Sequence, residues 1–206
     1  MILRRILIAA VILVGTLAML ALYHPAFRPQ TTPSGDVGGS VAIGGPFNLT
    51  DGKGNAFTDA DLKGSYSLIF FGFTHCPDIC PLTLQVMTDA IEHSGPAGEQ
   101  VTPVFVTVDP ERDTVEAVGS YVSAFHPRFV GLTGTPEQVA GVTKAYRVFA
   151  RKAPLKDSDG RETADYTVEH TGIIFLMDPD GRYLTHFSSG TTAEEMASYI
   201  RREVSK

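Results

Sequence analysis

Residues 65–94 read "SYSLIFFGFTHCPDICPLTLQVMTDAIEHS". The stretch opens with "SYSLIFFGF", a continuous apolar and aromatic run of strand length, the pattern of a strand buried on both faces. It closes with "PLTLQVMTDAIEHS", where Leu82, Leu84, Val86, Met87 and Ile91 form a rough helical stripe opened by Pro81. Between the two lies a loop holding both cysteines of the chain, Cys76 and Cys80, each followed by a proline. Strand, loop and helix in that order are the first unit of an α/β fold.

The pattern continues downstream. "VTPVFVTVD" (101–109) reads as a second buried strand, "TVEAVGSYVSAFH" (114–126) as a helix and "FVGLTG" (129–134) as a short strand. "TPEQVAGVTKAYRVFA" (135–150) reads as a helix with Thr135 as N-cap and Pro136 in its first position. A polar excursion, "RKAPLKDSDGRETADYT" (151–167), precedes "GIIFLMDPDGRYLTHFS" (172–188), two strands around a "DPDG" turn. The closing "TTAEEMASYIRREVSK" is a helix with acid early and base late, as the helix dipole prefers. Upstream, "PFNLTDGKGNAFTDADLKG" (46–64) places turn residues between short apolar stretches and predicts a β-hairpin. Together these elements predict an α/β sandwich with a central mixed sheet flanked by helices.

The chain has 206 residues, 17 basic and 23 acidic, for a formal net charge of −6. That balance speaks against nucleic acid and against a basic surface lying on a membrane. The N-terminus carries a different signal. Ile6 to Tyr23, "ILIAAVILVGTLAMLALY", is an uncharged apolar run close to the roughly 20 residues needed to cross a bilayer. Arg4 and Arg5 precede it, which keeps that end in the cytoplasm and sends the downstream chain across. The exit, "MLALYHPAF", has no clear small-x-small cleavage site and no cysteine for lipid attachment. Residues 1–23 therefore read as an uncleaved anchor. The Pro-, Gly-, Ser- and Thr-rich residues 24–45 read as a flexible tether, and 46–206 as one exported domain.

The cysteine loop admits three chemistries: a structural disulfide, a redox couple and a metal site. A proline pushes the residue before it out of the α region, so both cysteines are expected outside helices, with Cys80 at or next to the N-cap of a helix starting at Pro81. Free N–H groups and the dipole there favour a thiolate. A disulfide across so short a loop removes little chain entropy. An exported thiol pair at a helix N-terminus suits exchange chemistry, although the spacing is one residue longer than that of a thioredoxin-type pair. A metal needs more ligands. Of the six histidines, His24 is in the tether, His93 and His126 stand at helix ends, His186 lies along a strand, and His75 adjoins Cys76 but points to the opposite face of an extended chain. His170 stands just before a buried strand, where folds of this kind gather functional loops. Asp109 and Asp113 flank a helix start and can cap it; Asp78, inside the cysteine loop, either tunes the site there or satisfies backbone donors.

"FFGFTHCPDICPLTL", "VTVDPERDT" and "EHTGIIFLMDPDGRY", in that order, closely resemble the motifs of the Sco/SenC family of membrane-anchored copper chaperones. The resemblance runs from about Gly44 to the C-terminus and extends to the placement of the anchor. It implies a thioredoxin-like fold and one copper ion, Cu(I) or Cu(II), bound by Cys76, Cys80 and His170. It also implies a role in assembling the binuclear copper centre of cytochrome c oxidase, as copper donor or as reductant of that centre's cysteines. The implied partners are the copper-centre subunit of the oxidase and an upstream copper donor or thiol reductant. The implied location is the bacterial inner membrane with the domain in the periplasm. The chemistry agrees: soft thiolates suit Cu(I), an imidazole adds affinity for Cu(II), and a structural zinc would want a fourth ligand. The rival readings are a thiol–disulfide reductase in which His170 is incidental, and a redox or copper sensor using the same residues.

Overall fold

The computed structural model describes residues 42–204. The expected anchor and most of the expected tether lie outside the described residues, among which no helix is long and apolar enough to cross a membrane.

The apolar run after Ser65 forms β3 (Tyr66–Gly72) and "VTPVFVT" forms β4 (Val101–Thr107); both are almost entirely buried. They pair in parallel across the crossover helix α1 (Ile79–His93), with Tyr66 opposite Val101 and Gly72 opposite Thr107. β5 (Val130–Thr133) adds to β4 in parallel. β8 (Ile173–Met177) pairs antiparallel with β3, and β9 (Tyr183–Ser188) folds back on β8. At the far side β1 (Asn48–Asp51) joins β5 antiparallel and carries β2 (Ala56–Thr58) as the edge. The result is a seven-stranded mixed sheet in the order β2-β1-β5-β4-β3-β8-β9. The paired strands β1 and β2 are thus part of the main sheet.

Period-two alternation divides the core. Leu68, Phe70, Phe105, Ile174 and Leu176 face α1, α3 (Val115–Ser123) and α5 (Ala193–Val204), represented by Leu84, Met87, Val118, Met196 and Ile200. Ile69, Phe71, Val104, Phe175 and Met177 face the other way, where α4 (Pro136–Ala145) supplies Val139 and Val142. A four-residue helix, α2 (Pro96–Glu99), and a 3₁₀ turn (Asp59–Leu62) had no sequence signal strong enough to predict.

Thr135 caps α4 as expected: its hydroxyl accepts the Gln138 N–H, and the Gln138 side chain accepts the Thr135 N–H. The helix stops well short of Ala150. Arg147 takes a left-handed φ of 56°, the Arg147 N–H donates to Lys144 O and the Val148 N–H donates to Thr143 O. That is a Schellman end, here built without glycine. The released chain becomes β6 (Ala150–Lys156), which pairs with β7 (Glu162–His170) in a separate two-stranded sheet. This hairpin corrects the irregular excursion read from the sequence. Both its faces are largely exposed, so the strands carry no apolar alternation that would mark them in the sequence.

The register fixes where a site can form. Gly72 and Thr107 end their parallel strands side by side, so the loops after β3 and β4 leave from one edge. Because β8 runs antiparallel to β3 with Ile174 opposite Phe70, β8 begins at that same edge. His170, three residues before β8, is delivered to the cysteine loop.

Candidate metal centre

α1 starts two residues earlier than expected, with Asp78 as N-cap, so Cys80 lies inside the first turn and Pro81 follows it there. A proline is tolerated at that point because first-turn N–H groups have no intrahelical acceptor to lose. The Asp78 side chain makes no capping bond and is exposed. Cys80 is fully buried while Cys76 is half-buried, and neither forms a disulfide. Gly72 makes the room: a Cβ there would stand 2.9 Å from Cys80 Sγ, 2.9 Å from Phe70 Cε1 and 3.0 Å from Phe105 Cε2. The Cys80 N–H donates to Cys76 Sγ at 3.4 Å.

Burial also overturns the expected thiolate. Loss of solvent pushes the Cys80 thiol well above its ordinary range; the nearby Cys76 and Asp113 add to the rise, and a hydrogen bond from the Phe73 backbone opposes it without prevailing. Desolvation outweighs the helix N-terminus at this depth, and the metal-free Cys80 is a thiol.

His170 closes the far side. Its Nε2 lies 3.7 Å from Cys80 Sγ, across 90 positions of sequence. Its Nδ1–H donates to Thr171 O at 3.2 Å, which fixes the tautomer and leaves the Nε2 lone pair facing the sulfur. The ring stands edge-on to Phe70 and Phe73, with centroids 6.0 and 5.8 Å away. Burial lowers its pKa, and the bond to Thr171 O only partly offsets that, so the imidazole is neutral at pH 7. Metal–sulfur and metal–imidazole bonds of about 2.3 and 2.0 Å, meeting at a tetrahedral or trigonal angle, place S and N about 3.5 to 3.7 Å apart. The Cys80–His170 separation already has that value. Among the described residues no three His, Cys, Asp or Glu side chains are gathered into a complete ligand cluster. The Cys76 sulfur is engaged instead with the Cys80 amide.

Asp109 and Asp113 are fully buried, and neither caps α3. The cap is Thr114, whose hydroxyl accepts the Ala117 N–H. Asp113 Oδ1 accepts the Thr74 hydroxyl at 2.6 Å; Oδ2 accepts the Thr74 N–H at 3.0 Å and the Thr107 hydroxyl at 2.6 Å. It therefore ties the cysteine loop to the end of β4. Asp109 accepts the Tyr166 hydroxyl at 2.9 Å and pairs with Arg112. Arg112 donates to Tyr166 O at 3.0 Å and lies 3.9 Å over the Tyr166 ring. Lys152 stands 4.5 Å from that ring and pairs with Glu111 at 2.6 Å. One loop, 109–113, thus braces both the cysteine loop and the hairpin that carries His170. Sequence reading missed Tyr166 and Arg112; the one signal was an aromatic residue inside an otherwise polar stretch.

The other described histidines have partners of their own. Exposed His75 has Nδ1 3.1 Å from the Thr74 hydroxyl and 3.7 Å from Asp113. His93 faces Glu194, His126 accepts the Arg128 N–H, and His186 meets the Tyr183 hydroxyl. His24 lies outside the described residues.

Residues 36–205 match the family described as SCO1/SenC. A SCO2-like protein of Rickettsia conorii is 38% identical over 198 residues, covering 96% of this chain and 95% of that protein. A mitochondrial SCO1 homolog of Mus musculus is 48% identical over 164 residues; these cover 79% of this chain and only 56% of the mouse protein, so the chain spans little more than half of that relative. Among solved structures, Bradyrhizobium japonicum ScoI with copper bound aligns with a TM-score of 0.70 at 46% identity, covering 78% of this chain and 99% of that one. The mixed sheet with flanking helices is the thioredoxin-like arrangement the sequence resemblance implied.

Proposed function

Since the chain belongs to the SCO1/SenC family, we propose that it is a copper chaperone that carries one copper ion on Cys76, Cys80 and His170 and helps assemble the binuclear copper centre of cytochrome c oxidase. The observation that carries this reading is the 3.7 Å approach of the neutral His170 Nε2 to Cys80 Sγ. A soft sulfur and an imidazole lone pair at that separation suit copper in either oxidation state. Cys76 completes the set by turning its sulfur from the Cys80 amide toward the imidazole. Loading releases the thiol protons, and His170, already neutral, releases none. Three ligands leave the cargo open to attack by a partner's thiolate, so the ion can pass by ligand exchange. On this reading, an anchor in residues 1–23 and a tether in 24–45 hold the domain on the outer face of a bacterial inner membrane, within reach of a membrane-embedded oxidase subunit, and an upstream donor or reductant prepares the pair.

A second reading, a thiol–disulfide reductase, is favoured by the asymmetry of the pair, with Cys76 half-buried and Cys80 hidden behind it. Titrating the reduced protein with copper separates the two. The chaperone reading predicts one tightly bound equivalent and a sulfur-to-Cu(II) charge-transfer band that changes in His170→Ala. Unchanged copper affinity in His170→Ala, with disulfide exchange still rapid, would replace it with the reductase reading.

A further inference from the structure

The ladder between β6 and β7 ends with Ala150 opposite His170, and in the same register the next pair outward is Phe149 and Thr171. Opposed residues of an antiparallel ladder either exchange both main-chain bonds or make neither. Here one bond has its ordinary form: the Thr171 N–H donates to Phe149 O at 3.0 Å. The reciprocal bond is rerouted. The Phe149 N–H donates to the Thr171 hydroxyl at 3.0 Å, while the Thr171 carbonyl, which a regular ladder would use, accepts the His170 Nδ1–H at 3.2 Å. A side-chain oxygen has taken the place of a main-chain one, a competition open to threonine and serine.

The substitution matters because of what the freed carbonyl does. Phe70 and Phe73 hold the His170 ring edge-on, and that packing fixes where the ring lies but not which nitrogen carries the proton. The proton is placed by the bond at Nδ1. With Nδ1–H on Thr171 O, Nε2 turns a lone pair toward Cys80 Sγ, 3.7 Å away. With the proton on Nε2 the same ring would present an N–H there, which cannot ligate a metal. If residue 171 lacked the hydroxyl, the Phe149 N–H would compete for the carbonyl that the imidazole needs.

We propose that the Thr171 hydroxyl is a positioning group for His170: by standing in for its own carbonyl at the end of the β6–β7 ladder, it reserves that carbonyl for Nδ1 and keeps Nε2 unprotonated toward the cysteines. The consequence for metal binding rests on the copper-carrier reading above; the exchange of acceptors does not.

Two substitutions in the full chain test this. Thr171→Val keeps the shape of the side chain and removes the acceptor, whereas Thr171→Ser keeps the acceptor and removes the methyl. Long-range proton–nitrogen NMR of the reduced, metal-free protein, at a pH well above the His170 titration, reads the tautomer, and the His170 signals are identified by their loss in His170→Gln. The parent and Thr171→Ser show the proton on Nδ1, and Thr171→Val moves it largely to Nε2. Copper affinity falls by roughly tenfold in Thr171→Val, at the low end of what a ligand's outer partners contribute, and returns in Thr171→Ser. A proton that stays on Nδ1 in Thr171→Val overturns the proposal even where affinity falls, since the fall then reports only a loosened hairpin. A tautomer shifted in Thr171→Ser as far as in Thr171→Val overturns it as well. A shifted tautomer with unaltered copper affinity takes His170 out of the ligand set and so removes the carrier reading, while the role of Thr171 toward the imidazole stands.

Discussion

Replacing Asp113 by Ala removes a side chain that ties the cysteine loop to the end of β4. Its carboxylate is fully buried and accepts three hydrogen bonds, two from Thr74 and one from Thr107. Bonds to a charged acceptor contribute about 1.5–3 kcal/mol each, which sets a ceiling of roughly 4.5–9 kcal/mol. Against this, the native carboxylate is desolvated at a cost of several kcal/mol that alanine does not incur. The net loss expected is about 3 kcal/mol, or roughly 6–12 °C in Tm for a domain of this size. Urea denaturation of the reduced, metal-free protein measures it. Thr107→Val provides the control, since part of the loss is a stranded Thr107 hydroxyl: Asp113→Ala made in that background costs about 1 kcal/mol less. A loss below about 1 kcal/mol, or strict additivity with Thr107→Val, would refute the view that Asp113 braces the loop.

Tyr166→Phe deletes the bond to Asp109 and leaves the Arg112 stacking in place, so hydrogen exchange in 150–170 is expected to quicken by about tenfold while global stability changes by about 1 kcal/mol or less. Exchange no faster than in the parent would show that the hairpin is held by other means. Gly72→Ala drives a methyl against Cys80 Sγ and two phenyl rings at about 3 Å, for an expected loss of about 1–3 kcal/mol; calorimetry finding a neutral change would mean the pocket yields more easily than its packing suggests. His170 has a lowered native pKa, so the unfolded chain takes up the proton more readily. The stability this contributes is complete above the unfolded value of about 6.5 and is lost as the pH falls through the lower native one. His126 shifts the same way, so the His170 share is the part of the acid slope between pH 6.5 and 5 that His170→Gln removes.

The layered sheet was legible because β3, β4 and β8 are buried and say so in composition, and because Thr135, Pro136 and the "DPDG" turn punctuate the chain. What composition could not show was decided by backbone geometry. The end of α4 rests on Arg147 in a left-handed conformation for which no glycine gives notice. β6 and β7 pair through main-chain bonds and are exposed over most of their length, with Val168 the one buried side chain of the two strands, so little in their side chains separates them from a polar loop.

The site divides in the same way. The residue types suited to a soft cation, two cysteines and a histidine, can be read from motifs, but their separation cannot, because it is set by the register of β8 on β3 and by the loop that grips both halves. The proline rule misplaced Cys80 by putting local strain ahead of depth: inside the first turn, where Pro81 is tolerated, the sulfur sinks into the space left by Gly72 and stays protonated. The acids of "DPERD" were weighed as caps because they precede a helix. Burial makes that role untenable for both, since a carboxylate with no solvent must satisfy its oxygens within the fold, and the donors available at this edge are Thr74, Thr107, Arg112 and Tyr166. Those four lie on the cysteine loop, on β4, on the loop itself and on the histidine hairpin. Buried charge, and not the sulfur motif, therefore joins the two parts of the centre.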